Sequence, residues 1–485
     1  MSCNEKSPVN PSLRLSINPG DDRLPITRGR ISDFTDDAVS CLRGLWARHG
    51  HVAALEEGVQ RIYFVFGPEY NKQVLSDAER FHSRFFAVRG AKNSAQRRLS
   101  SGLLSMNGDE HKRHRRITMQ PFAKTSITSY HDAVVHLADE MLDAWQPGET
   151  RNIDQEMTEY MLRLTSSVLF GLDAHDLAIE IGRKTERWVA LNHEIGPAAF
   201  VPNPDLTDKY EELLEAAEEL ERPIREMLRL RRLNTDGTDV LSLLIQAHNG
   251  EGGISDDQLI GQIALLFGAA HLTSAHTLTW TLFLLSQHPE VMRELHAELS
   301  EQTEGNSPRP DQLDTLNVLD RVLKESMRVL PASAYSQRIT SQPVELGPFQ
   351  LPPGAVVIFS QFMSHHLPEM YDEPESFRPD RWKTISPSPY AYLPFGAGPR
   401  MCIGAALGMM QLKITLPTIL GRYKLSLEDG ADVNAQVMST MLFPTSRVPM
   451  KISLQDGQFT TPSVIGNIHS LVNLPPASSP LRRAA

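Results

Sequence analysis

The amino-acid sequence predicts a mainly α fold with small peripheral β-sheets. Apolar residues recur with helical period along most of the chain, whereas runs of strand character are short and few. One central apolar stretch is also long enough to form a helix through a whole domain.

Periodicity predicts helices over 36–48, 110–122, 126–145, 153–170, 176–192, 207–232 and 239–248, with Pro223 kinking or dividing the sixth. The central helix opens on Ser255-Asp-Asp-Gln258, a capping-box pattern, and stops at His288-Pro289. About thirty residues at ~1.5 Å each give it a length of roughly 45 Å. Its middle, LLFGAAHLTSAHTLTWTLFLL, is apolar on nearly every side, as a helix through a core should be. Within it Gly268, Ala269 and Ala270 leave room for a group to lie against the backbone. HVAALEEG followed by RIYFVFG reads as an early hairpin whose second strand is 61–67. PVELGPFQLPPGAVVIFS and MLFPTSRVPMKISL are the other strand-rich runs. This gives a flexible N-terminal tail (1–23), a single domain (24–455) and a partly disordered C-terminal extension (456–485).

With 485 residues, 41% hydrophobic and 22% charged, the chain has the composition of an ordinary globular protein. A net charge of −11 argues against nucleic acid as a partner, because phosphate binding wants a basic surface. Cys3, Cys41 and Cys402 form no CxxC pair and no disulfide framework, which points to a reducing compartment. The polar start, MSCNEKSPVNPSLRLSINPGDD, reads as neither a signal peptide nor a membrane anchor.

The chemistry gathers around FGAGPRMCIG, 395–404. Phe395, Gly396, Gly398 and Pro399 shape a tight loop before Cys402, and Gly404-Ala405-Ala406 begins a helix expected over 403–421. A sulfur at a helix N-terminus meets free N–H groups and the positive end of the dipole, and Arg400 adds a cation two residues away. The expectation is a thiolate suited to a soft metal centre, with small residues that let a flat macrocycle approach.

F-G-x-G-x-R-x-C-x-G resembles the haem-binding signature of the cytochrome P-450 superfamily, and the resemblance extends over about 430 residues. Glu325 and Arg328 of KESMRVLP resemble its ExxR pair, and FRPDRW its meander, which supplies Arg381 to a buried three-member network. His365-His366 matches a structural motif before that meander. His111 and Arg115, one helical turn apart in DEHKRHRR, are implied propionate contacts together with Arg338 and Arg400. GAAHLTSA resembles the oxygen-activation motif, mapping Ala269, Ala270, His271, Thr273 and Ser274 onto it. There Thr273 would bend the helix locally and hold a proton-delivering water. Leu272 stands where the family usually has an acid, which leaves Ser274, His271 or water for the proton route.

The resemblance implies the cytochrome P-450 fold with one haem b. Cys402 would be the metal ligand, with Phe395, Gly396, Arg400 and Gly404 among the cofactor contacts. O2 would be the co-substrate, and one oxygen atom would enter a hydrophobic small molecule by hydroxylation or epoxidation. A ferredoxin- or flavodoxin-type donor would dock near Lys112, Arg113 and Arg400, and the enzyme would be a cytoplasmic monomer. The expected pocket comprises the 85–104 loop, Phe267, Gly268, Ala269 and Ala270, the 332–335 segment with Ala332 and Ala334, and the 439–442 segment with Thr440 and Met441. These mostly apolar or small residues suit a lipid-, terpenoid- or polyketide-like molecule. A peroxide-driven or isomerase-like enzyme, and a non-catalytic haem-thiolate sensor, stand beside this reading.

Overall fold

The computed structural model describes residues 24–84, 88–171, 173–196, 207–233, 237–248 and 254–477. The predicted N-terminal tail, residues 85–87 of the predicted pocket loop and the last eight residues lie outside that set.

Helices dominate, and they pack around the central one, Asp256–Gln287, which Ser255 and Gln258 cap reciprocally. Among the described residues only this helix is long and apolar enough to cross a membrane, and 67% of its most apolar window is buried inside the fold. It packs on Ile153–Phe170, His175–Ile195, Asn317–Val329 and Ala405–Arg422. Residues 259–267 and 275–287 are buried, whereas 268–270 and 272–274 are wholly or partly open. Beyond its exposed first turn the helix is uncovered only at mid-length, and there it borders a cleft.

Several predicted boundaries shift for identifiable reasons. The expected 110–122 helix ends at Thr118, and Pro121, which lacks an N–H, sits in a following 3₁₀ turn. The expected 126–145 helix divides at Tyr130 into Lys124–Ser129 and His131–Asp143. In contrast, Thr207–Leu233 continues undivided past Pro223, where Leu220, Ile224 and Met227 are fully buried. Packing of that apolar stripe holds the turn that proline weakens.

A six-stranded sheet lies beside the helices, in the order Ile26–Arg28, Val52–Glu57, Gln60–Val65, Val356–Phe359, Ser336–Thr340, Phe81–His82. The predicted hairpin forms its centre, with Val52 opposite Val65 and Gly58 at φ +57° in the turn. Two smaller pairings matter below. Ala435–Met438 and Met441–Pro444 form a hairpin, and Val464–Ile465 pairs in parallel with Ala431–Asp432. The region expected as a partly disordered extension therefore contributes to the packed fold, since Ile468, Leu471 and Val472 are buried and the Asn473 N–H donates to Glu375 O at 2.9 Å.

Candidate functional site

The loop before Cys402 is shaped by close approach. Gly398 has φ +71°, and a Cβ there would lie 2.2 Å from Leu75 O, so no larger residue fits. The Cys402 N–H donates to Phe395 O at 2.8 Å, which closes the loop. The helix starts at Ala405 with Gly404 as its cap, two residues later than expected. Cys402 is exposed yet ringed by protein, as befits a sulfur in the wall of an internal cleft. Its neighbour Ile403 packs against Leu103, Met106 and Leu265, and Ala269 lies one turn beyond Leu265 on the long helix. The open stretch of that helix therefore faces the cysteine loop.

Burial in the loop pushes the Cys402 thiol up from its ordinary value, while the Gly404 N–H and Arg115 lower it. A coordinated metal cation would favour the thiolate.

Beside the sulfur, cations converge. Arg115 Nη2 donates to Met401 O at 2.6 Å, which ties the 108–118 helix to the cysteine loop. Arg400 Nη2 donates to Met106 O at 2.7 Å and to Asn107 Oδ1 at 2.6 Å, while its buried Nε has no partner. Arg338 Nη1 donates to Gln337 O at 2.8 Å, and its guanidinium lies 5.1 Å from the centre of the Phe359 ring. None of the three makes a salt bridge to a carboxylate among the described residues. They repel instead: burial and Arg400 lower Arg338 to about 9, and burial and Arg115 lower Arg400 to about 10. Burial, then Arg400, Arg115 and Arg338, lower His111 to about 4. Half-buried cations with no carboxylate partner suit an anion. Haem carries two carboxylates on a flat ring, and the set of residues fits it.

Behind the loop, Glu325 and Arg328 are fully buried and joined by two bonds of 2.9 and 2.8 Å. Arg381 Nε donates to Glu325 at 2.8 Å, as do the Arg378 N–H and Trp382 Nε1 at 2.9 Å each. Arg328 also donates to the carbonyls of His365, Pro374 and Ser376. His365 Nε2 in turn accepts from the Leu393 N–H at 2.7 Å, so the cysteine loop hangs from this network. His366 is buried, stacked on Phe362, with Nδ1 bonded to Phe362 O. Sequence reasoning missed the contributions of Trp382, Arg378 and Tyr371, the last lying 5.1 Å beneath the Arg328 guanidinium.

On the long helix, Ala269 is exposed and Ala270, Thr273 and Ser274 are half-buried, all on the open stretch. The helix is regular there, not broken, and the Thr273 hydroxyl donates to Ala269 O at 2.8 Å. His271 faces the other way, with Nε2 3.0 Å from Thr158 O and 3.4 Å from Glu186, and burial lowers it to about 4. Two residues turn a helix by about 200°, so 271 and 273 face opposite sides. His271 is thus removed from the catalytic candidates. Phe267, one turn before it, stacks on Phe170 and is fully buried, so it is no cleft residue. Gly268 lies against Val189 of the 175–195 helix, where a Cβ would come within 3.1 Å. The two predicted C-terminal pocket segments do meet: Ser333 bridges Met441, the Ala334 N–H donates to Thr440 O, and Leu442 N–H donates to Ala332 O. Ala334 itself is sealed in the core and does not line the cleft.

A cysteine facing an apolar helix beside unpaired guanidiniums defines a haem-thiolate protein. The sequence profile described as cytochrome P450 matches residues 31–453, and the chain belongs to that family. It is a haem-thiolate monooxygenase that binds haem b and uses O2. It is 31% identical to cyclooctat-9-en-7-ol 5-monooxygenase of Streptomyces melanosporofaciens, across 78% of this chain and 83% of the relative. Pentalenene oxygenase of Streptomyces avermitilis is 26% identical across 82% and 89% of the two chains. The fold matches that of cyanobacterial CYP120A1 with retinoic acid bound, with a TM-score of 0.73 at 20% identity over 85% of this chain and 93% of that one.

Proposed function

We propose that the enzyme hydroxylates or epoxidises a cyclic terpenoid, with Cys402 as the residue that would ligate the haem iron. His111, Arg115, Arg338 and Arg400 would hold the haem carboxylates, while Phe395, Gly396 and Gly404 would shape the thiolate loop. The observation carrying this assignment is the set of half-buried guanidiniums without carboxylate partners beside the cysteine loop. Haem, when bound, supplies the oxygen-activating chemistry. The protein's part is to exclude water and to deliver protons. Thr273 spends its own proton on Ala269 O, so its oxygen is left to accept from a water, with Ser274 beside it. Leu272 offers no acid there. A cyclic terpene is supported by the relatives' names and by an apolar cleft of small residues. A ferredoxin- or flavodoxin-type donor docks near Lys112 and Arg113, and the protein acts as a cytoplasmic monomer in one haem domain.

Replacing Cys402 with Ser is the first test. The long-wavelength absorption of the reduced, carbon monoxide-treated protein should vanish, and its persistence would refute the ligand assignment. A spin-state screen against cyclic terpenes tests the substrate class. Leu272 supports a second reading, peroxide-driven oxygenation, which turnover with hydrogen peroxide equal to that with reductant would favour.

A further inference from the structure

We propose that His276 is a specificity residue whose imidazole hydrogen-bonds a hydroxyl already present on the incoming substrate. This rests on the terpenoid reading and refines it. His276 lies four residues beyond Leu272 and three beyond Thr273, both open to the cleft, so it continues their ridge along the long helix. Its ring stacks on Phe443, with centroids 6.0 Å apart. Phe443 belongs to the strand after Thr440, in the hairpin that meets the 332–334 segment. The roof reaches the same place: a Cβ on Gly196, which caps the 175–195 helix, would lie 3.6 Å from Ser439 Oγ.

His276 is a polar group that its surroundings leave without work. Nδ1 is buried and has no hydrogen-bond partner among the described residues. Burial, with His271 and His193 nearby, lowers its pKa to about 3, so the neutral ring offers one N–H and one lone pair. The hydroxyls next to it are committed elsewhere. Thr273 donates to Ala269 O and Thr277 to Thr273 O, each at 2.8 Å. A buried nitrogen left unpaired is costly, and a site that pairs with a substrate hydroxyl rejects the analogue lacking one. A prior hydroxylation, or a terpene cyclisation quenched by water, would supply such a substrate.

The test uses the haem-loaded protein and matched hydrocarbon–alcohol pairs of cyclic terpenes, beginning with cedrene and cedrol. Binding is followed by the spin-state absorption shift and by calorimetry. Wild type should prefer the alcohol by about 10-fold or more in the pairs that bind. His276→Phe should erase that preference with little change in melting temperature, and His276→Gln should restore part of it. Equal affinities in wild type, or a preference that survives in His276→Phe, would overturn the proposal while the terpenoid reading stands. Failure of every hydrocarbon and every alcohol to bind overturns both.

Discussion

Two clusters of arginine near the cysteine loop, one buried and one half-buried, are built in opposite ways. Arg328 and Arg381 share Glu325 and donate to backbone carbonyls around it, so charge and donors are satisfied from within the chain. Arg338 and Arg400, with Arg115 beside them, find carbonyls and an amide but no carboxylate, and they depress one another and His111. The same side chain thus serves as a finished structural joint in one place and, on the function proposed above, as half of a binding contact in the other. Arg328 and Arg381 are buried whereas Arg338, Arg400 and Arg115 are half-buried, and the balance of charge separates the two clusters further.

The comparison breaks most visibly at Glu325. Replacing it with Ala removes the one anion that Arg328 and Arg381 share and strands two buried cations, at a cost of about 3–5 kcal/mol. Denaturant unfolding should register that loss in protein without haem, where no effect on cofactor binding can account for it. A loss below about 1 kcal/mol, the scale of an exposed ion pair, would mean that the network is not the joint described here.

The network's two ends were legible in sequence because their spacing is local. Glu325 and Arg328 are one turn apart on a helix, and Arg381 sits in a recognisable run. Trp382 was not legible: it reaches Glu325 across 57 residues of chain, and nothing in FRPDRW says where an indole N–H will point. The long helix shows a different limit. Its length and its capping box could be read, but a helix apolar all round has no stripe to mark its faces. Hence His271 and Phe267, which look inward from their neighbours in sequence, turned out to face the 153–170 and 175–195 helices. The packing of residues 468–472 was not legible because Ile468, Leu471 and Val472 are isolated apolar residues in a polar run. Their burial depends on a two-residue strand at 431–432 that leaves no periodic signal.

The second cluster predicts the opposite response. Arg338→Met keeps the bulk of the side chain but removes a half-buried charge that Arg400 repels, so the haem-free protein should be as stable as wild type or more so. Haem should meanwhile bind about 10- to 100-fold more weakly, as expected for one charge-assisted contact worth ~1.5–3 kcal/mol. Titration of apoprotein with hemin measures both in one preparation. Equal destabilisation with and without haem would make Arg338 a second structural joint and erase the contrast with Arg328.

The smallest effect is the sharpest, because it reads the cation cluster through a single proton. His111 is lowered to about 4 by burial and by Arg400, Arg115 and Arg338. In the unfolded chain its pKa returns to about 6.5. Between those values the unfolded chain therefore binds the proton that the fold refuses, and stability falls as pH drops from near 6.5 toward 4. Above that window His111 is neutral in both states and contributes no slope. Haem carboxylates seated among the same cations would relieve the repulsion, raise His111 in the fold and flatten the curve. Comparing wild type with His111→Gln isolates this residue from other buried histidines, such as His271 and His365, that titrate in the same direction. The difference between the two proteins should appear only below about pH 6.5 and should shrink when haem is bound. If it is the same with and without haem, burial alone depresses His111, and the guanidiniums beside it do not act as a waiting anion site.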